Sequence, residues 1–187
     1  MKLPLAQVRK IARKRYGGMY WRRHVSIVVK YARKLAKIKK TDGDLAELAA
    51  LLHDITIPTL GNADHDKTGA AEAAKILRNL KCSEKTVFEI RHAVLTHRGS
   101  ADSAPKTLLA KILRDADALS HFDAIPMLMF YGLRDHGQDV EKAAAWLDAK
   151  LERDWRKKLH FRESRKLAKR KYEAAKLLLR AARKGRK

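Results

Sequence analysis

His53 and Asp54 stand side by side near the end of the apolar run "LAALLHDITIP", residues 48–58. Leu45, Ala49 and His53 fall four residues apart, so in a helix His53 continues the stripe that these leucines and alanines bury. Three other segments repeat the pattern. His24 opens a stripe with Val28, Ala32 and Leu35; Val87, Ile90 and Val94 lead to His97; Leu109 and Leu113 lead to Asp117, while Asp115 falls on a different stripe. Singly, each has a plain reading as a core histidine bonded to a carbonyl or an inward aspartate capping a neighbouring helix. Jointly, four helices that bury ionisable groups accumulate penalties of about a few kcal/mol each unless the groups converge on a common charge. A divalent cation supplies that charge. The dipeptide recurs as His65-Asp66 in the polar stretch "LGNADHDKTG", so the pair alone proves little without its context.

The elements that must carry these residues read as helices throughout, rich in Ala, Leu, Lys and Arg, and the chain is expected to be all-α. A first helix is predicted from about Pro4 to Tyr16, stopping at Gly17-Gly18, and a second over "YWRRHVSIVVKYARKLAKIKK". Asp44 with Glu47 reads as a capping box opening the helix that ends at His53-Asp54, and Pro58 and Gly61 finish the break. A fourth helix spans roughly Lys67 to Leu80 and a fifth begins at Ser83, with His92 on a face beside that of His97. "GSADSAP" is expected to be a loop, the next helix begins near Pro105, and Pro126 kinks or ends a further one. From about Val140 onward the chain reads as one or two very basic helices. No internal repeat or linker interrupts this, so residues 1–187 are read as one domain with a core at about 20–135 and a basic helical part at about 140–187.

The charge sits at the ends. Residues 1–40 hold 14 Lys or Arg and no acid, and residues 150–187 hold 17 bases against 4 acids, so +27 lies outside a middle that is net −5. Ion-pair networks would need interleaved acids, which residues 1–40 lack. A phosphate-bearing substrate or a nucleic acid is therefore an expected partner. The lone Cys82 excludes an intramolecular disulfide and a cysteine zinc site, and reads as inert. No apolar stretch approaches the roughly 20 residues of a membrane helix, and residues 1–20 lack the apolar segment of a signal peptide. A soluble cytoplasmic protein is the expectation. Tyr20, Trp21 and Trp155 are read as helix-packing aromatics rather than base-stacking platforms.

His24, then His53-Asp54, then Asp117 in "DADAL" resembles the H…HD…D signature of the HD superfamily of metal-dependent phosphohydrolases. "LTHRGSADSAPKTLLAKILRDADALSHFDA" is similar to the small single-domain branch, in which a T-H-R segment precedes a proline, a helix and D-A-D-x-L. The resemblance runs from about Arg22 to Ala124, more loosely into the basic C-terminal helix. It implies an HD-type helical bundle with a basic C-terminal extension, and one divalent metal on His24, His53, Asp54 and Asp117. It further implies that His65 and His97 are candidates for a second ion, that Asp54, His97 and His92 are candidates for catalysis, and that Arg98 and His92 would contact phosphate. Imidazole and carboxylate ligands suit Mn, Fe, Co, Ni or Zn better than Mg, as one ion or two. Such a cation brings the pKa of a coordinated water from 15.7 to about 7 and neutralises phosphoryl charge. The implied activity is hydrolysis of a nucleotide or related phosphomonoester or phosphodiester. The rival reading is a nucleic-acid-binding protein whose HD metal site is structural or inactive. Two positions depart from the family: Ile57 stands where many relatives carry a phosphate-contacting base, and Ser120 replaces the last acid of D-A-D-x-L-D.

Overall fold

The computed structural model describes residues 3–99 and 104–183, and among them there is no strand. Ten α-helices and two π-helical turns follow in order: α1 (Leu5–Tyr20), a π-turn (Trp21–Val25), α2 (Ser26–Ile38), α3 (Gly43–Leu52), α4 (Ile57–Leu60), α5 (His65–Asn79), α6 (Glu84–Thr96), α7 (Leu108–Asp123), α8 (Ile125–Asp135), α9 (Val140–Arg153), a second π-turn (Asp154–Lys158) and α10 (Arg162–Arg183). The all-α expectation holds, with two helices in the basic C-terminal part. The chain forms two compact units, residues 1–117 and 118–187, with α7 running through the division. The loop expected over Gly99–Pro105 falls in part outside the described residues, as do residues 184–187.

In the first unit α2 packs on α3, α1 on α3, α5 on α6, and α3 on α6. Its core takes Val8 and Ala12 from α1, Val28, Ala32 and Leu35 from α2, Leu48, Leu51 and Leu52 from α3, and Ile90 and Val94 from α6, all buried. The stripes read at four-residue spacing are the buried ones, because the helical period returns side chains to one face. In the second unit α9 packs against α8 and α10, burying Ala143, Leu147 and Leu151 of α9 and Ala168, Ala175 and Leu179 of α10.

The local signals differ from expectation in four places. The first helix does not stop at Gly17-Gly18. Gly17 takes φ 68° and ψ 178°, a conformation that favours glycine, and the chain then resumes helical geometry to Tyr20, so the glycine makes a kink rather than an end. The cap of α3 is Asp42, whose carboxylate accepts from the Asp44 and Leu45 amides at 2.8 and 3.0 Å. Glu47 caps nothing. It is buried and takes ion pairs from Arg9 and Arg33, which settles its charge inside the unit. Helix α7 begins at Leu108 rather than near Pro105, with the Thr107 hydroxyl accepting from the Ala110 amide at 3.2 Å. Pro126 neither kinks nor ends a helix: it lies in the first turn of α8, where its missing N–H costs nothing.

Candidate metal centre

Five segments of the first unit meet at one place, three of them by an end. His53 and His97 directly follow the last residues of α3 and α6, His65 is the first residue of α5, His24 sits in the π-turn, and Asp117 lies within α7. Helix ends leave carbonyls without intrahelical donors, and histidines make use of them here. The Nδ1 of His53 lies 2.8 Å from the Ala50 carbonyl, that of His65 2.9 Å from Asn62, and that of His97 2.6 Å from Val94, each three residues back. With Nδ1–H donating to these carbonyls, each Nε2 keeps a lone pair and faces inward. Helix α5 is brought close by Gly69. A Cβ there would stand 3.2 Å from the His53 carbonyl oxygen, closer than a side chain tolerates without a shift. A bond of 3.0 Å between the Thr56 and Thr68 hydroxyls ties the same two segments.

The inward atoms form two sets. His24, His53 and Asp117 bring one ligand atom each within 4.8 Å of one another, and so do Asp54, His65 and His97, all six residues buried. His24 Nε2 and His53 Nε2 are 3.0 Å apart, with Asp117 Oδ1 at 3.5 Å from the first and 3.9 Å from the second. Asp54 straddles the sets. Its Oδ2 lies 3.1 Å from both His24 Nε2 and His53 Nε2, and its Oδ1 lies 3.5 Å from His65 Nε2 and 3.3 Å from His97 Nε2. Oδ1 is buried and makes no well-formed hydrogen bond. An orphaned carboxylate oxygen and two imidazole nitrogens facing each other are costly arrangements for bare protein, whereas a cation among them satisfies every one. The donor set fits a divalent transition metal.

Electrostatics agree with this geometry. Burial alone would raise the Asp54 pKa, yet the surrounding imidazoles, His53 foremost, hold it well below the usual carboxylate range. For His53, burial works downward but the Asp54 and Asp117 carboxylates outweigh it and the pKa is raised. For His97, burial prevails over the pull of Asp54 and the pKa is lowered, which keeps its ring neutral and competent to bind a cation near neutral pH.

From sequence, Tyr16 is a helix end and Tyr20 a packing aromatic, and the structure gives both a second duty. The Tyr20 hydroxyl donates to Asp54 Oδ2 at 2.7 Å. The Tyr16 hydroxyl accepts from the Asp54 amide at 3.2 Å and donates to the Leu51 carbonyl at 3.2 Å. The two rings stack at 5.7 Å, and Tyr20 meets the His24 ring edge-on at 5.2 Å. A signal for this was present: Tyr16, Tyr20, His24 and Val28 share the four-residue spacing. The π-turn between Tyr20 and Val25 had none, although such turns recur at functional sites.

Not every expected site residue joins the cluster. His92 is in neither ligand set, and its Nε2 accepts the Lys106 amide at 3.1 Å. Arg98 is a third exposed, with Nη1 3.5 Å from Oδ1 of the buried Asp66, the neighbour of His65. Asp117 is in the first set and Asp115, though buried, is not. Ile57 opens the short helix α4.

A model of the HD domain matches residues 22–121. Among solved structures, the chain is similar to a predicted HD superfamily hydrolase from an uncultured Thermotogales bacterium. The identity is 26%, with a TM-score of 0.64 over 95% of this chain and 90% of that one. A comparison with curated proteins gave no match. Helix α1, with Tyr16 and Tyr20, precedes the matched stretch, but the residues that meet around Asp54 from the π-turn to α7 all lie inside it. On a match across more than half of its length, the chain belongs to the HD domain family.

Proposed function

We propose that the protein is a metal-dependent phosphohydrolase acting on a nucleotide or a related phosphomonoester or phosphodiester. Membership of the HD family and the similarity to an HD superfamily hydrolase support a metal-dependent hydrolase. The observation that carries the reading is Asp54 placed between two buried imidazole-rich sets, with one oxygen toward each. His24, His53 and Asp117 would hold one divalent ion, and His65 and His97 with Asp54 a second; Mn, Fe, Co, Ni and Zn suit these donors. When bound, such ions promote ionisation of water near neutral pH and offset charge on phosphoryl oxygens.

The chain's own groups do the rest. Asp54, ionised and clamped at Oδ2 by Tyr20, offers Oδ1 to orient an attacking water and accept its proton. Where His97 holds no ion, its Nε2, 3.3 Å from Asp54 Oδ1, would take over the proton that Asp54 accepts from the attacking water and pass it to the leaving oxygen, whereas His92 Nε2 already accepts the Lys106 amide. Arg98, paired with Asp66 beside His65, would receive phosphoryl oxygens in place of the base that Ile57 replaces.

Elemental analysis of the purified protein, followed by a panel of nucleoside monophosphates, cyclic nucleotides and dinucleoside polyphosphates with that metal restored, tests the proposal. Metal-dependent release of phosphate or nucleotide from one class is expected. A protein that takes up no divalent metal, or that hydrolyses none of these esters with any of the five metals, would refute it. Tyr20→Phe is expected to weaken divalent-metal affinity by about 10- to 100-fold, the usual effect of losing a group that orients a ligand. Titration of the metal-free variant with Co²⁺ reads this directly. Unchanged affinity would show that Asp54 is held without the phenol.

A further inference from the structure

We infer that the outer face of α1 and the following π-turn is a binding surface for the backbone of a single-stranded nucleic acid. Three bases of this region are committed to acids within the unit: Arg9 to Glu47, Arg15 to Glu72 at 2.6 Å, and Arg33 to Asp44 and Glu47. Lys10, Arg13, Lys14, Arg22 and Arg23 are exposed and have no acidic partner among the described residues. A run of uncompensated cations repels itself, and it is stabilised when an external polyanion releases its counterions there. Lys10 and Lys14 are one helical turn apart, about 6 Å along the axis, a step comparable to that between successive phosphates of an extended strand. Arg13 lies between them, its guanidinium held 5.1 Å over the Trp21 ring. Arg22 and Arg23, exposed in the π-turn that follows, directly precede His24, the first residue of the metal cluster.

The other polyanionic or acidic surfaces fit less well. A membrane-surface helix would expose several large apolar side chains, whereas the exposed residues of α1 include one, Met19. An acidic protein would need an aromatic or branched aliphatic anchor at the centre of the contact, and the exposed large apolar side chain of α1 is Met19, near its C-terminal end. The equally basic helix α10 differs in the apolar side chains that it exposes. Its Lys171 pairs with Asp123 and its Lys176 with Asp148 at 2.6 Å, and it exposes Leu177 and Leu178. Each helix commits some of its cations to acids of its own unit, so it is the exposed leucines that set α10 apart from α1.

The surface is independent of the hydrolase reading, because contact with phosphates through Lys and Arg requires no metal. The test is therefore binding of labelled single-stranded RNA and DNA of about 20 nucleotides by the whole chain in EDTA, across a salt series. Replacing Lys10, Arg13 and Lys14 together by Glu is expected to weaken binding about tenfold or more and to flatten the salt slope by about 2, near 0.7 for each lost contact. The triple change Lys166→Glu, Arg170→Glu and Arg180→Glu alters net charge equally on exposed positions of α10, and is expected to stay within about twofold. If the first variant does not fold, Gln at the same three positions reads the same difference. Equal weakening by both variants would reduce the effect to net charge and overturn the inference. So would no binding by the parent chain near 150 mM salt, or binding of poly-glutamate as tight as that of the oligonucleotides.

Discussion

His53→Ala is expected to abolish metal content and hydrolysis together, with little change in the rest of the fold. The ring is fully buried and fixed at both nitrogens, Nδ1 on the Ala50 carbonyl and Nε2 facing His24, Asp54 and Asp117. Alanine removes a ligand atom from the first set and leaves Asp54 Oδ2 without one of its two imidazole neighbours. Loss of an outer-shell partner alone costs about 10- to 100-fold in affinity, and a ligand costs more. Asp54→Asn tests the same centre from the other side. It keeps an acceptor for Tyr20 but removes the only negative charge shared by the two sets, so four imidazoles and one aspartate are left to hold the cation. Metal analysis, circular dichroism and hydrolysis measured on one preparation separate loss of the site from loss of the fold. Hydrolysis persisting in a folded, metal-free variant would end the metal-dependent reading.

Asp154→Ala is expected to cost the second unit about 3–5 kcal/mol, the range for stranding a buried charge partner. Asp154 is 1% exposed, in the π-turn after α9. His121 Nδ1 lies 2.8 Å from its carboxylate, and the ammonium groups of Lys150 and Lys158 lie 3.9 and 4.0 Å away. Burial raises its pKa, but the two lysines and His121, Lys150 foremost, hold it far below the usual carboxylate range. The carboxyl therefore stays ionised in the folded protein at a pH where the unfolded chain, with a pKa near 3.9, binds a proton. Its contribution is complete above about pH 5 and declines as pH falls below about 4 toward the folded value. Urea unfolding followed by tryptophan fluorescence should show a wide gap between parent and variant at pH 7 and a narrower one at pH 3. Glu152→Gln is the contrast. Its pKa is lowered to about 2 by Tyr172, Arg156 and Lys176, but the group is more open to water, and about 1 kcal/mol or less is expected. A variant of Asp154 as stable as the parent at pH 7 would show that the basic groups find other counter-charges.

Several misreadings of the sequence share one cause. Glu47 has the spacing of a capping residue, but two arginines brought from α1 and α2 turn it inward. Pro126 is a helix breaker in the interior and a helix starter in the first turn, and only the position of the preceding end distinguishes the two. Gly17 reads as a helix stop, but the chain resumes helical geometry after it and α1 runs to Tyr20. Each depended on a partner distant in the chain or on an element boundary, neither of which a local pattern specifies.

By itself, the sequence determined the helices, the inward direction of His24, His53, His97 and Asp117, and the concentration of cations at the two ends. It could do so because burial imposes a period of 3.6 residues and charge is additive along a chain. Tertiary structure alone decided that Asp54 divides its oxygens between two ligand sets, that Tyr16 and Tyr20 hold it there, and that a kink at Gly17 and a π-turn bring His24 into line. These are distances between residues from 11 to 43 positions apart, set by how α1, α3, α5 and α6 pack, and no side chain's type or spacing encodes them without its neighbours.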